Sequence, residues 1–563
     1  NGKETRPRCG KVAISSMNAT SRILRGLAWA PVAVGVATLG WILWHLDQLA
    51  TAAHWNGDAA APALIAESLG RDPLGHTVLG DVSSLSTLLA YRATEWAPAH
   101  RALWAAFPYA VSLAGVALLA LAAWRLAGRW AGLTSAALAV GVTTDVLFTQ
   151  VAPAFRATTW ATMALLAAVL VLAGARERGG AGALAVAIAA GAATGLAVVS
   201  DPLSLVVAVV PFTVALLAMA TVMRARRWLA WAALAFVMSG ATTLAFGLSM
   251  MNGLGLSTHT EGDAYFARAG LSGVPGHFGQ WWRSVVALFT GSKGDWAPQW
   301  WLWPSLVVAL AAIIAIPVVA VVARRRTPVR GPGTARGGAA ERDASQRGFW
   351  TFWALVVLAL TAAFVMSGIP DRTGGVTVDR YLVPLVIAVA ATLPVALARP
   401  GRLRATGAVA ALLLMLPGVV LLWQDDLVTR REAYPQVRQA PAIAAWLRGQ
   451  GAVTGYSDYF DALAMTYQEG IDVRPAAPCA DGHGMCPTPI NTRQAWYRRA
   501  PGRSFLILDP ALPAGVDLAA ALRGMRMPRQ VARRRFEGID VVVLAGDPGV
   551  AGAPRAPRRP PSG

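Results

Sequence analysis

The sequence predicts an α-helical polytopic membrane protein of about 11 transmembrane helices, with a small extracytoplasmic α/β domain near its C-terminal end. Three observations predict this fold class. Hydrophobic residues make up 55% of the 563 residues and charged residues only 14%, and the mean hydropathy is +0.47. Apolar stretches of roughly 18 to 24 residues, each long enough to cross a hydrocarbon core of about 30 Å, recur along the chain. Lys and Arg concentrate on alternate links between these stretches.

The predicted spans follow one another with few charges inside them. They comprise residues 27–49, 102–124, 131–150, 157–175, 181–199, 203–223, 228–251, 301–323, 349–369, 381–398 and 405–424.

Charge on the links predicts the orientation. About 17 Lys and Arg follow the even-numbered spans, against about nine on the longer opposite links, and positive residues stay in the cytoplasm. The N-terminus is therefore predicted inside the cytoplasmic membrane, and an odd number of spans places the C-terminal segment outside. About eleven Asp and Glu lie on the outer links and about three on the inner ones. The net charge of +20 does not indicate nucleic-acid binding, because the arginines flank the spans, where they meet lipid headgroups.

The remaining boundaries follow from composition. Residues 1–26 read as a disordered cytoplasmic N-terminus, within which Met17 is the expected native start. The first span is too long for a signal peptide and lacks a cleavage site, so it is expected to be retained. Residues 27–424 form the transmembrane domain, and the Gly-, Pro- and Arg-rich residues 324–348 are a predicted disordered cytoplasmic linker.

Two outer links are long, residues 50–101 and 252–300. Helical pieces are predicted at 59–69, 83–93 and 277–289, and they are expected to lie on the outer membrane face.

After Trp423 the pattern changes to alternating strand and helix, which predicts an extracytoplasmic α/β domain over 430–546 and a disordered tail over 547–563. FLILDP at 505–510 reads as a buried strand, and RRFEGIDVVVLAG at 534–546 as a single final strand.

Five charged residues near the predicted outer face are candidates for chemistry: Asp58, Asp145, Arg156, Asp201 and Arg380. A carboxylate can take a proton from an acceptor hydroxyl, and arginines bind phosphate in bidentate fashion. Such a set suits transfer of a sugar from a lipid phosphate. No nucleotide-binding loop, HExxH or GxSxG motif occurs.

Each candidate also has a purely structural interpretation. Asp58 could be a solvated loop acid, and Asp201 before Pro202 a helix start. Arg156 and Arg380 could be interfacial residues whose charged heads reach the headgroups. Asp145 is predicted within a span, where ionisable groups are costly, although it could simply pair with a neighbour.

The chain resembles the GT-C class of integral-membrane glycosyltransferases, which includes the protein O-mannosyltransferase and lipid A aminoarabinose transferase relatives. Asp58, in WNGDA, matches the acidic residue early in that class's first outer loop, and Arg156, in FRATT, matches the arginine of its short second outer link. The sequence Arg380-Tyr381-Leu, with a proline two residues later, matches a late motif that enters a span. GYSDYFDALAMTYQEG at 455–470 resembles the opening strand and helix of the class's C-terminal domain.

The resemblance implies a GT-C-like fold and an inverting transfer from a polyprenyl-phosphate sugar to a hydroxyl of a cell-envelope glycan, a lipid or a protein. It gives Asp58 the role of general base, Arg156 and Arg380 that of donor phosphate ligands, and Asp145, Asp201 and Tyr381 supporting roles. No soluble cofactor is implied. Many relatives carry paired carboxylates at the first site, whereas Gly57 and Ala59 flank Asp58, so dependence on a divalent metal stays open.

Two other functions remain open from the sequence. A transporter or flippase of lipid-linked saccharides would need charged residues along a path through several spans, whereas apart from Asp145 the predicted spans are nearly charge-free. A non-catalytic envelope assembly protein would tolerate the loss of Asp58.

Three cysteines occur, at 9, 479 and 486. An outer compartment permits a disulfide between Cys479 and Cys486, whereas Cys9 is predicted cytoplasmic and reduced. The rival interpretation is a metal site that adds Asp481 and His483, although these ligands are few for a closed zinc site.

Overall fold

The structure is a computed structural model. It describes residues 10–71, 77–79, 85–152, 156–174, 181–221, 226–258, 272–292, 298–325, 336–368, 370, 379–399, 401–424, 426–432, 434–479, 484–488, 491–510, 513–522, 525 and 527–550.

Helices dominate residues 10–449 of the described chain. We number them α1 Gly10–Trp44, α2 Leu46–His54, α3 Gly57–Arg71, α4 Leu85–Thr94, α5 His100–Ala127, α6 Arg129–Val140, α7 Thr144–Val151, α8 Ala157–Gly174, α9 Ala181–Ser200, α10 Val210–Ala220, α11 Arg226–Gly253, α12 Val274–Thr290, α13 Trp303–Arg325, α14 Arg336–Met366, α15 Asp379–Ala396, α16 Arg402–Trp423, α17 Asp426–Glu432 and α18 Pro435–Gly449.

The prediction of a multi-pass helical protein is confirmed. Within the described residues, seven helices are long and apolar enough to cross a membrane, and an eighth crossing results if one bent pair counts as a span. Three shorter apolar helices, α8, α10 and α15, coincide with the other predicted spans. A π-helical segment, Leu205–Val209, precedes α10.

The predicted span 131–150 is not continuous. It consists of α6 and α7, which meet at 89°. The break falls at Gly141, where backbone freedom is largest and a helix is weakest. Asp145 therefore lies in the first turn of a separate short helix, not inside an unbroken span as predicted.

Two segments predicted to be disordered are helical in part. α1 begins at Gly10, so residues 10–26 extend the first span instead of forming a disordered end. Residues 336–348 of the predicted linker belong to α14, and Arg324 and Arg325 belong to α13. Arg and Ala have good helix propensity, and an adjoining apolar span removes the cost of nucleating a new helix.

The two long links and the C-terminal segment meet in a small sheet. Its strands are β1 Thr77–Leu79 and β2 Leu256–Thr258, which are parallel, and β6 Thr492–Arg493, which is antiparallel to β1. The predicted helical pieces of these links are present as α3, α4 and α12.

The C-terminal segment contains a second sheet of six described strands, in the order β5-β4-β3-β7-β9-β8. The elements are β3 Thr454–Ser457, α19 Tyr459–Glu469, β4 Asp472–Pro478, β5 Met485–Pro487, β7 Ser504–Leu508, α20 Pro513–Leu522, β8 Gln530–Phe536 and β9 Ile539–Leu544. Strand β3 lies parallel to both β4 and β7, while the two edge pairs are antiparallel.

The last predicted strand is a hairpin. Glu537 and Gly538 have φ values of 43° and 99°, and a pair of positive φ values is typical of the two-residue turns that join antiparallel strands. Phe536 and Ile539 face each other across this turn. The sequence Glu-Gly therefore ends β8 and starts β9 within what looked like one strand.

A disulfide joins Cys479 and Cys486. The Cys479 N–H also donates a hydrogen bond to the Gly484 carbonyl, and Cys486 lies opposite Ala477 in the β4–β5 pair. Asp481 and His483, the other ligands of the rival metal site, lie outside the described residues, as does Cys9.

We expect native protein to keep Cys479 and Cys486 oxidised, because the segment is predicted to be outside the cytoplasm. The bridge should contribute roughly 2–3 kcal/mol by restricting the unfolded chain. Alkylation of native membranes followed by intact mass measurement, with and without reduction, checks this expectation. Alkylation of Cys479 and Cys486 without a reductant would contradict it. The Cys479→Ser/Cys486→Ser variant gives the reference mass.

Candidate functional site

The first site residue, Asp58, is held at the start of α3. Its N–H donates to Asn56 Oδ1 at 2.9 Å, while the Asn56 carbonyl accepts hydrogen bonds from Ala59 and Ala60. A carboxylate in the first turn also interacts favourably with the positive end of the helix dipole. Asp58 therefore has a fixed backbone, and 23% of its side chain is exposed.

Two side chains of the C-terminal segment contact the Asp58 carboxylate. The Tyr459 hydroxyl donates to Asp58 Oδ1 at 2.6 Å. Asn491 Nδ2 donates to Tyr459 Oη at 2.6 Å and lies 3.4 Å from Asp58 Oδ1. Burial, and after it the charge of Asp58, raises the pKa of Tyr459 well above its ordinary value, so Tyr459 keeps its proton and acts as a donor.

The other carboxylate oxygen faces Arg380 at the start of α15. Arg380 Nη1 lies 3.7 Å from Asp58 Oδ2, and 17% of the arginine side chain is exposed. This distance is that of an ion pair and exceeds that of a good hydrogen bond.

The ring of Tyr381 lies close to two guanidinium groups. Arg156 Cζ is 4.4 Å and Arg380 Cζ is 5.3 Å from the ring centroid. Both distances fall within the range of cation–π attraction. The buried Tyr381 ring thus contacts both arginines. Arg156 precedes α8 and Arg380 lies on α15, so the ring joins two distant parts of the chain in one site.

Arg156 forms a buried ion pair with Asp201. Their Nη1 and Oδ2 atoms are 3.2 Å apart, and each side chain is only 4% exposed. Asp201 also accepts a hydrogen bond from the Thr159 hydroxyl at 2.8 Å and one from the Leu203 N–H at 3.1 Å. Arg156 Nε is buried and has no hydrogen-bond partner among the described residues, so it retains a donor for an anion.

The backbone of Arg156 is left-handed, with φ at 56°. Such a conformation is uncommon for a residue with a long side chain and costs about 1–3 kcal/mol. Its carbonyl accepts a hydrogen bond from the Trp160 N–H in the first turn of α8. The ion pair with Asp201 and the contact with Tyr381 therefore hold Arg156 in a conformation that the chain alone disfavours.

The structure thus brings together Asp58, Arg156, Asp201, Arg380 and Tyr381. Asp145 is in the first turn of α7, next to Thr144, whose hydroxyl donates to Asp426 Oδ2 at 2.7 Å. The residues of this site lie at helix ends: Asp58 in the first turn of α3, Arg156 just before α8, Asp201 just after α9, and Arg380 and Tyr381 at the start of α15.

Comparisons with known proteins return two similar solved structures. The crystal structure of ArnT from Cupriavidus metallidurans bound to undecaprenyl phosphate is 14% identical, with a TM-score of 0.47, and the match covers 90% of this chain and 97% of that one. The apo structure of the same protein is 15% identical, with a TM-score of 0.42, and the match covers 90% and 98%. No protein-family model matches the chain, and neither does any curated protein sequence. ArnT is an aminoarabinose transferase of the GT-C class, the class that this sequence resembles.

Sequence reasoning missed Tyr459 and Asn491. Tyr459 stands two residues after β3, and side chains just beyond the carboxyl end of a buried strand reach a shared edge, which is a signal that could have found it. Asn491 has a positive φ of 48° in a connection between strands, and nothing in the sequence marks it. Within the described residues, no group of three His, Cys, Asp or Glu side chains is arranged to hold a metal ion.

Proposed function

We propose that this protein is a membrane glycosyltransferase that moves a sugar from a polyprenyl-phosphate donor to an acceptor hydroxyl. The observation that carries the proposal is that the Asp58 carboxylate, 23% exposed, pairs with Arg380, and that the guanidinium groups of Arg380 and Arg156 both lie against the ring of Tyr381. A base and two guanidinium groups at the end of a helical bundle suit a reaction that needs a deprotonated hydroxyl next to a lipid-anchored phosphate.

The groups already described account for every bond and proton of the proposed reaction. The acceptor oxygen gives its proton to Asp58 and forms a bond to the anomeric carbon of the sugar. The bond from that carbon to the phosphate oxygen breaks, and its electron pair stays on the polyprenyl phosphate. Attack from the face opposite the phosphate inverts the anomeric configuration. Asp58 is the catalytic residue of this proposal, and Arg156 and Arg380 bind the donor phosphate.

Charge in the site changes in step with this reaction. Asp58, Asp201, Arg156 and Arg380 together carry no net charge when ionised, as their ion pairs imply. Protonation of Asp58 leaves one uncompensated positive charge while the departing phosphate gains negative charge. Fixed arginines near a developing anion stabilise it without reorganisation.

The donor is identified by incubating the purified protein with a panel of radiolabelled polyprenyl-phosphate sugars and cell-envelope acceptors. We expect label from one donor to move to an acceptor with inverted anomeric configuration. Retained configuration would exclude the single-displacement mechanism, and no transfer from any donor of the panel would contradict the proposed function.

Arg380→Ala is expected to weaken donor binding about 10- to 100-fold, because a charge-assisted contact with phosphate is lost. Arg380→Lys should recover only part of the affinity, since lysine keeps the charge but lacks the planar fork. Titration with a polyprenyl-phosphate sugar measures the effect. The control is Arg129→Ala, at the opposite end of the bundle beside Trp124. If Arg380→Ala, Arg380→Lys and Arg129→Ala all bind the donor with equal affinity, Arg380 does not bind the donor phosphate.

The orientation is part of the proposal. We propose that the site and the C-terminal segment lie outside the cytoplasmic membrane, because Lys and Arg concentrate on the links that follow the even-numbered predicted spans and positive residues stay in the cytoplasm. A reporter that is active only outside should be active when fused after Gly546 and inactive when fused within 330–340. The reverse pattern would place the site in the cytoplasm.

A further inference from the structure

The two oxygens of the Asp58 carboxylate have different surroundings. Oδ1 accepts the 2.6 Å hydrogen bond of Tyr459 and lies 3.4 Å from Asn491 Nδ2. The closest ion-pair contact of Oδ2 among the described residues is with Arg380, at 3.7 Å. An acceptor hydroxyl must approach within about 2.6–3.2 Å of the oxygen that takes its proton, and no donor of the described residues occupies Oδ2 at that distance.

The donors on Oδ1 are themselves held firmly. Tyr459 is 8% exposed and Asn491 3% exposed, and a 2.6 Å hydrogen bond joins them. Tyr459 and Leu463 of α19 pack in one apolar cluster with the alanines of α3 that follow Asp58. Hydrogen bonds between buried groups in a packed site keep their geometry better than exposed ones do.

The same segment also holds the far part of α3. Ser68 Oγ accepts hydrogen bonds from Arg493 Nη1 at 2.9 Å and from Trp496 Nε1 at 3.2 Å. Arg493 belongs to β6, which pairs with β1, the next element of the described chain after α3. The C-terminal segment therefore fixes α3 at two places, ten residues apart, and Asp58 is one of them.

We propose that Tyr459 and Asn491 are positioning residues that lock Oδ1 of Asp58 and thereby direct Oδ2 towards the acceptor hydroxyl. This inference rests on the proposed function, in which Asp58 is the general base. It makes the C-terminal α/β segment a part of the active centre. Fixing one carboxylate oxygen removes rotation of the base, and a correct orientation lowers the barrier without any change in donor binding.

Tyr459→Phe removes the hydroxyl and keeps the ring. We expect kcat to fall about 10- to 100-fold, while the affinity for the polyprenyl-phosphate sugar stays within about twofold. The acid limb of the pH profile of kcat/KM should move to higher pH, because a carboxylate that loses a donor is a stronger base. Among the described residues, the charged or titratable side chains in contact with Asp58 are Arg380 on α15 and Tyr459 on α19, and Arg380 is unchanged in this variant.

Asn491→Asp is the second variant. Aspartate tolerates the left-handed backbone of this position, so the fold should persist. It replaces a donor by a second carboxylate about as close to Asp58, and repulsion between the two should move the acid limb further than in Tyr459→Phe.

Tyr497→Phe is the matched control. Tyr497 is a buried tyrosine of the same segment, and its hydroxyl donates to the Pro475 carbonyl away from Asp58. We expect it to change stability without moving the pH profile.

Wild-type kcat and an unshifted acid limb in folded Tyr459→Phe and Asn491→Asp would overturn the inference. If Tyr459→Phe fails to fold, the pH profile of Asn491→Asp decides alone.

The double variant Asp58→Asn/Tyr459→Phe separates the positioning role from the proposed function, because Tyr459→Phe should not lower the rate further once the base is gone. If Asp58→Asn alone keeps full transfer, the proposed function of Asp58 is wrong; if it abolishes transfer while Tyr459→Phe has no effect, only the positioning role fails.

Discussion

Asp58→Asn is expected to lower the rate of sugar transfer by about 10²- to 10⁴-fold, the usual effect of removing a general base. The amide keeps the shape of the carboxylate and can still meet Tyr459 and Arg380, but it cannot take a proton from the acceptor. Donor binding should persist, since the phosphate ligands are unchanged. Initial rates at saturating donor, together with a separate donor titration, measure the two effects.

The control for this variant is Asp47→Asn. Asp47 is an exposed carboxylate on α2, one helix before Asp58 and at the same end of the bundle. Loss of a surface charge there should leave transfer within about twofold. Near wild-type transfer by Asp58→Asn would show that another group removes the proton, and Asp145 and Asp201 would be the next carboxylates to replace.

Arg156→Ala is expected to lower the free energy of unfolding by about 3–5 kcal/mol, because it leaves Asp201 charged and buried without a partner. Both side chains of the pair are only 4% exposed, so solvent screens them little. Thermal unfolding of the detergent-solubilised protein measures the change. The double variant Arg156→Ala/Asp201→Ala removes both charges and should recover a large part of the loss.

The matched control is Arg92→Ala, which breaks the exposed pair of Arg92 and Glu95 on and just after α4. Pairs of this kind contribute about 0–1 kcal/mol. Equal effects of the two arginine variants would contradict the role of the Arg156–Asp201 pair in holding the left-handed turn before α8. Arg156→Ala therefore tests donor binding only where the variant is still folded.

Hydropathy predicts the helical part of this fold because each crossing must satisfy its backbone internally. It does not detect a break such as the one at Gly141, since the residues on both sides remain apolar and only the backbone direction changes by 89°. The end of α1 towards Gly10 was missed for the opposite reason: polar residues that adjoin a span extend its helix at little cost.

The candidate site was predictable where a residue is charged and lies at a helix end. Asp58, Arg156, Asp201 and Arg380 are all of this kind, and the fold brings them to one place. Tyr459, beyond the carboxyl end of β3, and the left-handed Asn491 complete the site. Both contact Asp58, although they follow it in the chain by 401 and 433 positions. Such pairings depend on how the C-terminal sheet docks, which local patterns do not encode.

The most direct measurement follows a radiolabelled polyprenyl-phosphate sugar in proteoliposomes that contain the purified protein and an acceptor. Transfer is expected to consume the labelled lipid, to release one polyprenyl phosphate for each sugar that reaches the acceptor, and to depend on Asp58. Label that crosses the bilayer while it remains on the lipid, at the same rate with wild-type protein and Asp58→Asn, would contradict the glycosyltransferase and indicate a transporter.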